Sequence, residues 1–192
     1  MVKIPYFEEE LEIPPDVKVD LKENGILTVK GPEGEVTKDF SHVRGFRMEL
    51  KDNKLIFSAH FPKRKTLALA KTIINIIDNL IKGVQLNFKY YCKICYSHFP
   101  FNAEVITNKK EIHFVNFLGE RKPRIAKYLD NVKVKIEGDD VILEGPDKET
   151  LGQTAANMKL CCKIRKKDPR VFQDGVYLYK KQRGDEILWE IK

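Results

Sequence analysis

No stretch of this chain comes near the ~20 consecutive apolar residues that a bilayer-spanning helix needs. The greasiest segment, "TIINIIDNLI" at 72–81, is broken by Asn75, Asp78 and Asn79. The opening "MVKIPYFEEELEIPP" is acidic and interrupted by proline, unlike a secretory signal or an arginine-rich transit peptide. These absences argue against a membrane role and predict a soluble, intracellular protein. Cysteine is scarce, four residues in 192. Cys92 and Cys95 have the spacing of zinc ligands, but no second CxxC or histidine pair follows at a distance that would close a tetrahedral site. They fall in the alternating "YYCKICYSHF", which sends positions i and i+3 to opposite faces of a strand. Cys161 and Cys162 adjoin within a helical pattern, where one packs as a small apolar residue. Free thiols, with neither metal nor cofactor, are expected.

Arrays that carry catalysis are missing as well. His42, His60, His98 and His113 are scattered, and none belongs to an HExxH motif. Ser97 and His98 are neighbours in a strand-like segment and are predicted to point apart, the wrong arrangement for proton transfer. Asp139 and Asp140 in "EGDDVILEG" read as a turn between strands rather than as paired carboxylates. The glycines of "KGPEGE" at 30–35 lack the GK[ST] ending of a phosphate-cradling loop. The chain reads as a protein without enzymatic activity.

What the chain does have is positive charge, unevenly placed. Its formal net charge is +7. Residues 1–85 carry 14 Lys and Arg against 13 Asp and Glu, whereas residues 86–192 carry 21 against 15. Such asymmetry favours a polyanionic partner over a small neutral ligand. The cations cluster in "FPKRKT" (61–66), "LGERKPRIAKY" (118–128), "KIRKKDPR" (163–170) and "YKKQR" (179–183). Arginine and lysine on loops reach phosphates without burying unpaired charge, and arginine bridges two phosphate oxygens at once.

The chain also repeats itself after 84–86 residues. "VDLKENGILTVKGPEGE" (19–35) and "EVITNKKEIHFVNFLGE" (104–120) each give an extended run, a turn and a second extended run, with Ile112 matching Ile26 and Val115 matching Val29. "KLIFSAHFPKRKTLALAK" (54–71) matches "DVILEGPDKETLGQTAAN" (140–157), pairing Pro62 with Pro146, Thr66 with Thr150 and Leu67 with Leu151. Each half therefore reads as a hairpin, a further strand and a proline-started helix. Leu67, Ala70, Ile73, Ile74, Ile77, Leu80 and Ile81 form one apolar stripe at helical period, as do Leu151, Ala155, Met158 and Cys162 more thinly. Asp147 suits the N-cap of the second helix, Pro62 the first turn of the first, and Gly83 its end. The fold class is α+β, two tandem repeats of a small domain in which a helix covers one face of a mostly antiparallel sheet. The expected divisions are 1–85, 86–183 (which holds three of the four cation clusters and is the main candidate for binding a polyanion) and a tail at 184–192, whose "EILWEIK" is a candidate docking strand.

"VKGPEGEVTKDFSHV" (29–43), "IKGVQLNFKYYCKICYSHFPFN" (81–102), "NFLGER" (116–121) and "KKDPRVFQDGVYLYKK" (166–181) resemble a universal large-subunit ribosomal protein. It is the one counted sixth in bacteria and ninth in eukaryotes, in its eukaryotic and archaeal branch. The most specific part is a basic run followed by Arg170, Phe172, Asp174, Gly175, Val176 and Tyr177. Departures are Leu160, where relatives usually carry glutamine, and Pro169, which stiffens the loop in place of an aliphatic residue. The resemblance implies a structural, ribosomal RNA-binding role in translation, with the C-terminal domain docked near the sarcin–ricin loop beside the site of translational GTPases. Neighbouring ribosomal proteins are the implied further partners. The implied location is cytoplasmic ribosomes, with nucleolar assembly in a eukaryote. Carried over by position, the RNA-facing residues are Arg165, Lys166, Lys167, Arg170 and Lys180, with Arg121 and Lys122 weaker. A role off the ribosome, as an RNA-binding regulator or chaperone, is the alternative. Asp174-Gly175 is expected to turn tightly into a strand whose Val176 and Leu178 pin one face, leaving Tyr177 and Tyr179 on the other, one of them at the RNA boundary or both over the protein's own core.

Overall fold

The computed structural model describes residues 5–22, 24–51, 53–168 and 170–191, so the stiffening expected of Pro169 lies outside the described residues. The chain divides into two compact units, Met1–Leu86 and Asn87–Lys192. In the first, β1 (Tyr6–Glu12), β2 (Lys18–Leu21), β3 (Ile26–Gly31), β4 (Gly34–Asp39), β5 (Arg47–Lys51) and β6 (Lys54–His60) precede α1 (Arg64–Gln85). They form two antiparallel sheets, ordered β1-β6-β5 and β2-β3-β4. Alternation decides which side chains go inward: Leu55, Phe57 and Ala59 from β6, Leu27 and Val29 from β3. The helix closes on both sheets with Ala70, Ile73, Ile74, Ile77, Leu80 and Ile81, the predicted stripe, while Leu67 at its start is half-buried. The Asn24-Gly25 turn forms as read, with Gly25 at φ +82°, where an added Cβ would meet the Ser41 backbone at 3.0 Å.

Three details depart from the sequence reading. Pro62 stands one residue before the N-cap, Lys63, rather than in the first helical turn. Gly83 does not end α1 but is buried within it, and the helix runs on to Gln85. That extra half turn has a use. The Val84 carbonyl accepts from the Glu33 N–H at 2.9 Å, and β3 approaches so closely that a Cβ on Gly31 would stand 2.7 Å from the same oxygen. Finally, each half holds more strands than a hairpin and one partner. The run of glutamates in β1 hides a strand, because only its Phe7 and Leu11 side packs against the core.

The second unit repeats the plan. β7 (Phe88–Cys95), β8 (Asn102–Ile106), β9 (Glu111–Val115), β10 (Arg124–Lys127), β11 (Lys133–Glu137) and β12 (Asp140–Gly145) lead into α2 (Lys148–Cys161), and β13 (Gly175–Arg183) and β14 (Glu186–Glu190) follow. The sheet β10-β9-β8 corresponds to β4-β3-β2, and β11-β12-β7 to β5-β6-β1. The hairpin β13–β14 is new: β13 joins the side of β7 whose counterpart on β1 is an open edge. Residues 186–190 are thus an edge strand of this sheet. The repeat is shifted by one residue from the correspondence read in sequence. Ile112 and Phe114 are buried where Leu27 and Val29 are, while Val115 is 38% exposed. A slip of one residue exchanges the two faces of a strand, so Val115 cannot be the partner of Val29. α2 buries Leu151, Ala155 and Met158, and Cys162 is buried just past its end. Asp147 caps its start by accepting from the Glu149 N–H at 3.0 Å. Among the described residues no helix is long and apolar enough to cross a membrane.

Candidate nucleic-acid interface

The loop between α2 and β13, residues 162–174, carries Arg165, Lys166, Lys167 and Arg170, all four exposed. Among the described residues no carboxylate comes within ion-pairing distance of any of them. The one aspartate in their midst is otherwise engaged: Asp168 accepts from the Arg170 N–H through its side chain (2.9 Å) and from the Phe172 N–H through its carbonyl (3.0 Å). This local turn sets the loop's curvature. Lys166 sits at φ +60°, in the left-handed region that side-chain-bearing residues rarely adopt. Strain of this kind persists only where surrounding contacts over-determine the backbone.

Those contacts come from both ends of the loop. At its start, Arg124 on β10 donates through Nη1 to the carbonyls of Cys161 (3.0 Å) and Lys163 (2.9 Å), satisfying acceptors that the end of α2 leaves open. The rest of the guanidinium grips Glu120 with two hydrogen bonds of 2.8 and 2.6 Å and lies 4.3 Å from the centre of the Phe117 ring. At its end, Asp174 is buried, and its carboxylate accepts from the N–H groups of Ser97 (2.8 Å) and His98 (3.1 Å) and from His98 Nδ1 (2.8 Å). Burial alone would raise its pKa; the donors from Ser97 and His98 overcome that and pull it down to about 2. His98 in turn stacks on Phe172 at 4.2 Å, and the Lys167 ammonium lies 4.2 Å over the Phe172 ring. A continuous series of contacts therefore runs from a buried carboxylate to one of the loop's cations.

Two sequence expectations are corrected by this geometry. Asp174-Gly175 is not a tight turn, since Gly175 is already the first residue of β13, paired with Cys95, and Asp174 is the anchor before it. Ser97 and His98 do not point apart: they lie in a bend after β7, and both turn toward Asp174. Ser97 Oγ stands 3.2 Å from His98 Nδ1, the same nitrogen that meets the carboxylate. A nucleophile–base–acid relay needs two different ring nitrogens, so the cluster is a structural tie. Cys92 faces the core and Cys95 the opposite side of β7, as the alternation predicts. Among the described residues no group of His, Cys, Asp and Glu is arranged to hold a metal ion.

Behind the loop, Val176 is buried and Leu178 packs on the same core, while Tyr177 is 38% exposed. The Tyr177 hydroxyl donates to the Gln173 carbonyl at 3.2 Å, and Lys159 lies 5.8 Å over its ring. A bulge between Leu178 and Lys180 leaves Tyr179 unpaired and brings Lys180 opposite Tyr91. Strict alternation would have sent Lys180 to the core side; the bulge puts it with Tyr177 and Tyr179, its ammonium 5.4 Å over Tyr91. Lys180 is nevertheless five positions along the strand, roughly 16 Å from the loop at ordinary strand rise. Arg121 and Lys122 are exposed, and the Arg124 clamp places their turn beside the loop's beginning. Arg124 itself is the residue that sequence reasoning missed. It reads as one more cation in "LGERKPRIAKY", and nothing local in the sequence marks where its side chain goes.

The comparison with known proteins agrees with this arrangement of two like units. The family model of ribosomal protein L6 matches residues 13–86 and again 99–175. A large ribosomal subunit protein uL6 of Staphylothermus marinus is 45% identical over 181 residues, covering 93% of this chain and 97% of that protein. Those of Aeropyrum pernix and Methanobrevibacter smithii are 45% and 42% identical, over 95% of this chain and 98% and 100% of theirs. On these matches the chain belongs to the ribosomal protein L6 family, in its archaeal branch.

Proposed function

We propose that this protein grips large-subunit ribosomal RNA with the loop 162–174, its four exposed cations lying against the phosphate backbone. As an L6-family member the chain is a structural, non-enzymatic component of the large ribosomal subunit. The carrying observation is that Arg165, Lys166, Lys167 and Arg170 are exposed and, among the described residues, without carboxylate partners on a loop tied down at both ends by Arg124 and Asp174. A loop held in one shape before binding loses less entropy on binding. Phosphate contacts fix position, and the narrow major groove of A-form RNA limits side-chain readout, so the grip is one of shape. Arg121 and Lys122 extend the surface from the loop's near side, and Tyr177 and Lys180 flank it along β13. Placement near the sarcin–ricin loop, beside the site of translational GTPases, is part of this proposal, supported by the family resemblance.

Replacing Arg165, Lys166, Lys167 and Arg170 together by alanine tests it. The slope of log affinity against log salt for purified large-subunit RNA should flatten by about 3, at ~0.7–0.9 per phosphate contact. In sucrose gradients the variant should leave large subunits at lower salt than the parent. An unchanged slope would place the RNA surface elsewhere.

A further inference from the structure

Phe61 has no explanation in the fold of the first unit. It is 73% exposed, so it adds little to the core, and it adopts φ +45°, a left-handed backbone that glycine or asparagine would occupy with less strain. The topology gathers several other groups at the same end of this unit. The Phe61 N–H donates to the Pro5 carbonyl at 2.9 Å, and Tyr6 pairs with His60, their rings 5.1 Å apart and Tyr6 44% exposed. Lys63, Arg64 and Lys65 follow at the start of α1. Arg47 opens β5 opposite Ser58, near the end of β6. Arg44 adjoins Gly45, where an added Cβ would meet the Thr66 side chain at 3.0 Å.

All five cations are exposed, and among the described residues none has a carboxylate within ion-pairing distance. Of the β1 glutamates, Glu10 and Glu12 are engaged farther along the sheet by Lys54, at 2.9 and 3.6 Å, whereas Glu8 bonds to Tyr6 at this end and Glu49 of β5 acts on Arg47. Five cations thus share one end of the unit with an outward-held aromatic ring and outnumber the two carboxylates there, Glu8 and Glu49, in a unit whose overall charge is almost balanced.

We infer that this corner is a second RNA-binding surface, one that takes an unpaired nucleotide segment: a base stacks on Phe61 while Arg44, Arg47 and Lys63–Lys65 meet the flanking phosphates. Aromatic platforms among cations hold single-stranded nucleic acid in this way, because every base offers a π-face. A peptide made of acidic residues alone would use the cations but has no ring to lay on Phe61. The surface is independent of the loop 162–174, and its test removes that loop from consideration.

The full-length chain with Arg165, Lys166, Lys167 and Arg170 replaced by alanine is titrated with a labelled twelve-residue oligouridylate. Further replacement of Lys63, Arg64 and Lys65 by alanine should lower the salt slope by about 2, at ~0.7 per single-strand contact. Phe61→Gly should weaken binding about 5- to 150-fold, the loss expected for one stacked base, with the slope unchanged. It should also melt no lower than its parent, because glycine relieves the left-handed backbone. Absent binding by the loop-neutralised chain, an unaltered slope in the triple variant or an unaltered affinity in Phe61→Gly would each overturn the inference. So would oligoglutamate binding as tightly as the RNA and with the same indifference to Phe61.

Discussion

Asp174 shows how much a single side chain can decide. Its carboxylate, 2% exposed, receives hydrogen bonds from Ser97 and His98 and is thereby kept ionised in a place where burial alone would favour protonation. Its pKa is lowered from 3.8 to about 2 by folding, so the stability it contributes is complete above pH ~4 and is lost as pH falls through about 2. Asp174→Asn should therefore flatten the acid limb of a stability–pH curve between pH 4 and 2. At neutral pH it should cost about 2 kcal/mol, the scale of hydrogen bonds to a charged group. Urea titrations across that pH range check both, and an acid limb as steep as the parent's would show that Asp174 is not the titrating group. The thiols respond to burial too. Cys92 is pushed up to about 12, and Cys162 is raised by its hydrogen bond to Cys161 and by burial, whereas that same bond lowers Cys161.

At the scale of elements, the loop 162–174 is shaped from outside itself. Arg124 reaches from β10 to the carbonyls at its beginning, so under the proposed function its part is to position the loop rather than to touch RNA. Arg124→Ala should weaken RNA affinity about tenfold, the order of one or two lost charged hydrogen bonds, while leaving the salt slope intact. Arg124→Lys should not rescue it, because a point charge cannot serve Glu120 and two carbonyls at once. A slope that fell by ~0.7–0.9 would instead make Arg124 a phosphate ligand. Sequence made some elements plain and hid others for identifiable reasons. The stripe from Ala70 to Ile81 is periodic over three turns, and Asp147 is a cap with a local partner, so both could be read directly. β1 was obscured by its glutamates, and Gly83, a frequent helix terminator, is buried inside α1. The cations of the loop were visible as a cluster. The destinations of Arg124, Ser97 and His98 depend on contacts 37 or more residues away, which no local pattern records.

The whole molecule is one plan used twice, with separate cores. The buried residues of the first unit, around Phe57 and Ile77, are distinct from those of the second, around Tyr90 and Phe114. Units of this size ordinarily fold alone. Residues 1–86 and 87–192, expressed separately, should each melt cooperatively by circular dichroism. The second piece should keep the salt-dependent RNA binding attributed to the loop. If neither piece shows a cooperative transition, the cores are not autonomous. The charge follows the same division, near neutral in the first unit and strongly positive in the second.

One asymmetry between the copies bears on behaviour in crowded solution. β7 has a neighbour in β13, but β1 is an edge strand whose backbone amides and carbonyls on that side could template another strand. Glu8, Glu10 and Glu12 project to solvent along that rim. Two chains approaching rim to rim would bring the Glu8 carboxylates, with which no lysine forms a salt bridge among the described residues, toward each other, so the acidity that disguises the strand in sequence also opposes pairing through it.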